Sequence, residues 1–210
     1  MEKTVNSAVA QSGKSRQTAR FVEWTSPCGK LVLASLDDEL LMCDWADGWH
    51  HQTIMKRFKR AQAITFEPGT SPVIERAIGK LEAYFKGERQ TFDLPLRFVG
   101  TDFQIDVWHA LERIPYGQLV RYVDIAREIR RPKAARAVGA AVGQNAFSII
   151  VPCHRVIGRD GTLVGYGGGY AAKRRLLALE TGVPESELPY ENGAELHAAS
   201  RTAAVKASLG

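Results

Sequence analysis

Cysteine is scarce in this chain: Cys28, Cys43 and Cys153 are the only three in 210 residues. An odd, scattered set with no C-x-x-C argues against a disulfide framework, a zinc ribbon, a thioredoxin motif or haem attachment, and fits a reducing compartment. Long hydrophobic runs are also missing. None approaches the roughly 18 residues of a membrane span. The opening "MEKTVNSAVAQSGKSRQTAR" has no apolar h-region, so it does not read as a secretory signal. Internal repeats are absent. These absences predict a soluble, cytoplasmic protein with no membrane partner. Cys28, His50 and His51 show no metal-ligand spacing, so no metal and no cofactor are expected.

What is present suffices for a core. Hydrophobic residues make up 45% of the chain and charged ones 24%, so a core can form without disulfides or a structural metal. The net charge of +5 mildly favours an anionic partner. Residues 1–19 are polar and aperiodic and read as a flexible lead-in. Apolar runs at 21–24, 31–36 and 40–45, separated by Ser26-Pro27-Cys28-Gly29 and Asp37-Asp38, predict an antiparallel meander. In "TSPVIERAIGKLEAYFKGE" the apolar residues recur at helical spacing. Ser71 suits an N-cap, Pro72 the first helical position and Gly87 the stop.

Beyond an extended connector around Pro95 the spacing turns mainly helical, with candidates at 102–113, 119–130, 134–143 and 170–181. The expected fold is α/β (α+β). A small N-terminal antiparallel sheet with a packed helix (20–97) precedes a mainly helical C-terminal domain with a helix-turn-helix (98–183). The tail 184–210 is Ala- and Ser-rich and is expected to lie over the surface or to be partly disordered.

Residues 121–144 hold two helical patterns broken by Arg131-Pro132-Lys133, since Pro132 disfavours helical geometry at Arg131. Six basic residues face two acidic ones within 121–136, an excess of four that nearly equals the excess of the whole chain. Such a patch suits phosphate contact, and it is equally the solvated face of an ordinary helical hairpin. The second helix is poor in base-reading side chains. Ala134, Ala135, Ala137, Gly139, Ala140 and Ala141 carry almost none, and Arg136 is the one long exception.

"SIIVPCHRVIG" contains a cysteine between a proline and a histidine. Ile149, Ile150 and Val151 predict a short buried strand or extended lead-in, and Pro152 would hold Cys153 rigidly. A neighbouring imidazole can activate a thiol directly or through a water. Free cysteine is as often a small buried hydrophobe, and the residues alone leave both readings open. In an extended chain His154 would point away from Cys153, so it needs a turn or an intervening water. Glu180 is a candidate to orient the imidazole. The glycines of "GRDGTLVGYGGGYAAK" give a loop that can approach a ligand closely, but the phosphate-cradling G-x-x-x-x-G-K-[ST] spacing is missing.

Taken together, "VPCHRVIG", Asn145 eight residues before the cysteine, "GYGGG", "PKAARAVG", "VWHALERIPYGQLVRYVDIA" and Glu180 resemble the O6-alkylguanine-DNA alkyltransferases over about 102–181. The resemblance implies single-use transfer of an alkyl group from O6-alkylguanine, and from O4-alkylthymine, to Cys153 after nucleotide flipping. The implied partner is double-stranded DNA, with no obligatory protein partner and a monomeric state.

The roles follow by the same resemblance. His154 would act as base through water, Glu180 would orient it, and Asn145 would tie the helix-turn-helix to the cysteine segment. The small-residue helix with Ala134, Ala135, Ala137 and Gly139 would enter the minor groove. Arg136 would fill the gap left by the flipped base, and Tyr122 would crowd the target phosphate. Arg121 and Arg131 depart from the family pattern and would add phosphate contacts. Tyr166, Gly167, Gly168 and Val142 would line the guanine pocket, with Lys173 in support. Gly167 stands where some members carry serine. Two rival readings are a non-catalytic lesion-sensing or regulatory DNA-binding protein and a cysteine hydrolase. The presence of Cys153 speaks against the first, and the basic helix pair against the second.

Overall fold

The structure, a computed structural model, describes residues 17–62 and 64–188. Strands β1 (Gln17–Ser26), β2 (Gly29–Leu36) and β3 (Glu39–Trp45) form the expected antiparallel meander. Helix α1 (His51–Gln62) and strand β4 (Ile64–Pro68) follow, and β4 pairs with β1 in parallel. The sheet is therefore mixed, in the order β3-β2-β1-β4. The last residues of the expected lead-in, Gln17 to Ala19, belong to β1 because they pair with Ile64 to Phe66. Residues 1–16 of that lead-in, and 189–210 of the tail, lie outside the described residues.

Helix α2 (Pro72–Phe85) packs on the sheet through Val73, Ile74, Ala77, Leu81 and Tyr84. Its ends are those the sequence signals: the Ser71 hydroxyl accepts from Ile74 N–H at 3.3 Å, and Gly87 has φ +76° just past the end. Helix α3 (Asp102–Glu112) opens on a reciprocal capping box between Thr101 and Gln104. The expected 119–130 helix is shorter. Val120–Arg121 is instead a strand, β5, and α4 runs Tyr122–Glu128. The chain turns with Arg130 at φ +58°, before Pro132, and α5 (Ala135–Val142) completes the helix-turn-helix.

The lead-in to the cysteine is not a strand. Residues 148–150 are turn, and Ile149 sits at φ +73°. A β-branched residue is strained there by about 1–3 kcal/mol. The segment bends because Val151 N–H donates to the Phe147 carbonyl at 2.8 Å while Asn145 clasps it from within. The short strand comes after the cysteine instead, as β6 (Val156–Ile157), paired in parallel with β5. Helix α6 (Gly169–Thr181) ends at Gly182 with φ +71°. The first residues of the expected tail are ordered by packing: Leu188 is buried against Leu163 and Leu177, after a short turn at Glu185–Glu187.

One continuous core joins the sheet to the helical part, from Leu33 and Phe58 to Trp108 and Val138. The outer edge of β3 is covered rather than left open. Leu40 N–H donates to the Pro95 carbonyl at 2.8 Å, and Cys43 N–H to the Ala146 carbonyl at 2.9 Å. Arg57 Nη1 reaches the Gln144 carbonyl at 2.9 Å. The sheet thus grips the segment that leads to the cysteine. Among the described residues no helix is long and apolar enough to cross a membrane.

The buried Trp108 indole donates to the Ala141 carbonyl at 2.9 Å and so ties α3 to α5. Trp108→Phe removes that donor and some volume. It should lower unfolding free energy by about 1–3 kcal/mol in urea denaturation.

Candidate active site

At Cys153 the backbone turns into a single 3₁₀ turn, Cys153–Arg155. Successive side chains then leave in different directions rather than alternating across a strand. Cys153 faces a cavity of about 280 Å³. His154 and Arg155 are buried instead around Glu180 of α6.

Glu180 is the most heavily bonded side chain of the site. Oε1 accepts from His154 Nε2 at 2.7 Å, Tyr84 Oη at 2.8 Å and Arg155 Nη2 at 2.9 Å. Oε2 accepts from Arg155 Nε at 2.8 Å and Gly117 N–H at 3.1 Å. Burial alone would raise this carboxyl, but the hydrogen bonds from His154 and Arg155 and the Arg155 charge hold it well below the usual carboxylate range. Burial pushes His154 down, against the pull of Glu180, so the ring rests neutral. With Nε2–H committed to Glu180, Nδ1 carries the lone pair. That atom is buried and has no hydrogen-bond partner.

Cys153 is itself pushed up to about 11 by burial, opposed by Asn145 and by the Lys173 charge. The resting side chain is a thiol that needs a base. Asn145 holds its segment from two sides: Nδ2 donates to the Val151 carbonyl and Oδ1 accepts from Phe147 N–H, both at 2.9 Å. Ser148 Oγ donates to the buried Asp44 of β3 at 3.1 Å.

The cavity gathers Cys153, Asn145, Tyr122, Gly139, Val142, Tyr166 and Gly167. Gly168, expected in its lining, and Lys173, expected in support, are not among these residues. Gly168 faces a neighbouring hollow against Trp45, where even a Cβ would fall 2.5 Å from the indole. Lys173 is buried behind the loop. Its Nζ donates to the Val156 carbonyl at 2.6 Å and the Val164 carbonyl at 3.2 Å, so it fastens the loop to β6. Burial pushes this amine down to about 8.

Arg136, Ala137, Arg121 and Arg131 are exposed and Ala134, Ala135 and Gly139 half-buried; of the small residues of α5, Gly139 and Ala140 border the cavity and Ala134, Ala135 and Ala137 do not. The sequence reading missed Arg155, Tyr84, Trp49 and His50. Arg155 was visible within Pro-Cys-His-Arg. The others carry no local signal. Among the described residues no group of three or more His, Cys, Asp or Glu is gathered as a metal site.

A helix-turn-helix beside a buried cysteine, whose neighbouring histidine is fixed by a carboxylate, defines a DNA-binding protein with a candidate acceptor thiol. Residues 102–182 match the family described as 6-O-methylguanine DNA methyltransferase, DNA binding domain. Residues 24–98 match its ribonuclease-like domain. The chain is 54% identical over 161 residues to the methylated-DNA–protein-cysteine methyltransferase of Mycobacterium bovis, covering 74% of this chain and 88% of that one. It is 43% identical over 160 residues to that of Methanosarcina acetivorans, covering 76% and 97%.

Among solved structures, Mycobacterium tuberculosis O6-methylguanine methyltransferase superposes with a TM-score of 0.67 at 42% identity, over 81% of this chain and 97% of that one. The OGT of that bacterium in complex with DNA gives 0.66 at 43%, over 79% and 94%. The chain belongs to the methylated-DNA–protein-cysteine methyltransferase family.

The buried ionic site makes stability pH-dependent. Glu180 titrates lower folded than unfolded, so its contribution is complete above about pH 4.5, its ordinary value, and is lost as pH falls. His154, buried neutral, adds a loss that begins below about pH 6.5. Glu180→Gln leaves the Arg155 charge buried without its partner. It should cost about 3–5 kcal/mol at pH 7 and flatten the acid limb of urea-denaturation midpoints plotted against pH.

Proposed function

We propose that this protein reverses DNA alkylation directly, moving the alkyl group of O6-alkylguanine, and of O4-alkylthymine, onto Cys153 Sγ. The observation that carries the reading is the shared cavity: Cys153 and the small residues Gly139 and Ala140 of α5 line the same space. A base held outside the duplex can therefore reach the sulfur only beside the helix that would lie against DNA. A flipped nucleotide meets that requirement.

The chemistry balances without a cofactor. His154 Nδ1 takes the thiol proton through one water, and Glu180 steadies the resulting imidazolium. The thiolate attacks the alkyl carbon, forming S–C as C–O6 breaks. One proton leaves sulfur and one is gained by the guanine, which returns to its keto form. The thioether is not hydrolysed, so each molecule acts once. Tyr122, whose phenol burial pushes up to about 12, stays protonated as a donor beside the target phosphate and guanine. Asn145 holds the cysteine segment against the helix pair, and Tyr166 with the Gly167 backbone forms the pocket wall.

Small side chains on α5 suit close approach in the minor groove. Arg136 occupies the gap left by the base, and Arg121 and Arg131 contact phosphates. The transfer needs no residue from a second chain, and the proposed action is that of a monomer. The sparse free cysteines support a reducing, cytoplasmic setting.

After incubation with duplex DNA containing O6-methylguanine, intact-mass spectrometry should find one added methyl per molecule, on the Cys153 peptide. Transfer that persists in Cys153→Ala would defeat the proposal. Arg136→Ala should slow repair of duplex DNA by about 10-fold or more while leaving reaction with free O6-benzylguanine nearly unchanged, since only the duplex has a gap to fill. Equal losses on both substrates would remove the finger role.

A further inference from the structure

We infer that Trp49, set in place by His50, is a nucleobase-stacking residue that the sheet-bearing half contributes to the mouth of the Cys153 cavity. This rests on the repair reading above and extends it to a substrate contact outside the helix-turn-helix.

Trp49 lies between β3 and α1 and is 72% exposed, the one exposed large hydrophobic side chain among the described residues. Core packing does not account for it. Its ring nevertheless has neighbours on two sides. The indole rim lies near the bare end of α5, where a Cβ on Gly143 would lie 3.5 Å from Cη2. The His50 ring meets it edge-on, with centroids 5.1 Å apart.

His50 is braced in turn. It is 4% exposed, and its Nε2 lies 3.2 Å from Asp44 Oδ1. Asp44 is fully buried and takes His51 Nδ1 at 3.2 Å on its other oxygen. Burial would raise this carboxyl, but its bonds to His50 and His51 lower it, so it stays charged. On the pocket side His50 presses on the loop: a Cβ at Gly167 would fall 2.0 Å from Cε1. The imidazole therefore occupies the space a side chain at 167 would need, and its Nδ1 has no hydrogen-bond partner.

Trp49, His50 and Cys153 line one cavity. A group seated at the sulfur shares its cavity with the indole. Every nucleobase has a π-face, and aromatic stacking on it tolerates any base. A ring already fixed by two neighbours loses little freedom on stacking. A protein partner would not need to share the cavity of the thiol, so a nucleobase is the occupant these contacts favour.

The test uses full-length Cys153→Ser protein, in which binding is read apart from transfer. It is titrated with duplex DNA carrying O6-methylguanine and with the same duplex undamaged. Trp49→Ala should weaken binding of the damaged duplex by about 5- to 100-fold. Affinity for undamaged duplex should change by less than about 2-fold, because phosphate contacts elsewhere dominate it. Trp49→Phe should keep most of the affinity yet lose the fluorescence quenching that the damaged duplex causes. His50 is a positioning residue: His50→Ala should increase acrylamide quenching of Trp49 and add no further loss when combined with Trp49→Ala.

No change in damaged-duplex affinity, or equal losses on both duplexes, would overturn the stacking role. Unchanged melting temperature separates these outcomes from misfolding. If the Cys153 protein gains no methyl while Trp49 still governs binding of the damaged duplex, the transfer reading fails and the stacking stands.

Discussion

The carboxylate of Glu180 is the interaction around which the site is built. Its two oxygens take five donors, from Tyr84 in the N-terminal half, Gly117 before β5, the two nitrogens of Arg155, and His154. Deep inside a protein, charges are stable only when paired and fully hydrogen-bonded. Arg155 supplies the pairing, and the neutral donors satisfy the remaining lone pairs. The benefit of the arrangement lies less in net stability than in geometry. A carboxylate so fully occupied cannot rotate, and the imidazole bound to it is fixed in tautomer and direction. Arg155 thus neutralises the charge that would otherwise keep His154 protonated, leaving Nδ1 available.

A second buried carboxylate does comparable work on the other side of the cysteine. Asp44, near the end of β3, binds Ser148 in the strained segment and both His50 and His51 at the start of α1. The sheet edge adds a backbone bond from Cys43 N–H to the Ala146 carbonyl. The N-terminal half is therefore a mould for the turn that carries Ile149 at φ +73° and delivers Cys153 to the cavity. Strain of that kind persists only where the surroundings over-determine it, and here Asn145, Ser148 and Cys43 all do so.

Much of this was legible in the sequence where the signal is local. Ser71, Pro72 and Gly87 mark the ends of α2, and its apolar spacing marks the buried face. The Arg131-Pro132-Lys133 break and the alanines mark the helix-turn-helix. Helix α1 escaped because its apolar positions, Ile54, Met55 and Phe58, are few among basic and polar residues. Strand β4 escaped because five residues of weak alternation carry no sign of a parallel partner more than forty positions earlier. The apolar run at 149–151 read as a strand or extended segment because β-branched residues favour one. Tertiary bonds from Asn145 overrode that preference. Cys153, His154 and Glu180 were found by their motif, whereas Tyr84, Asp44 and His50 enter the site only through folding.

The contact between His50 and the bare backbone of Gly167 has an evolutionary consequence. The two positions share one volume, so 167 cannot gain a side chain while 50 keeps its imidazole in place. A side chain at 167 requires a smaller residue at 50, and a shrunken residue at 50 leaves a gap that 167 is free to fill. Lineages of this pocket should therefore move along a ridge of paired changes. The cavity keeps its size while the half of the chain that walls it off changes hands.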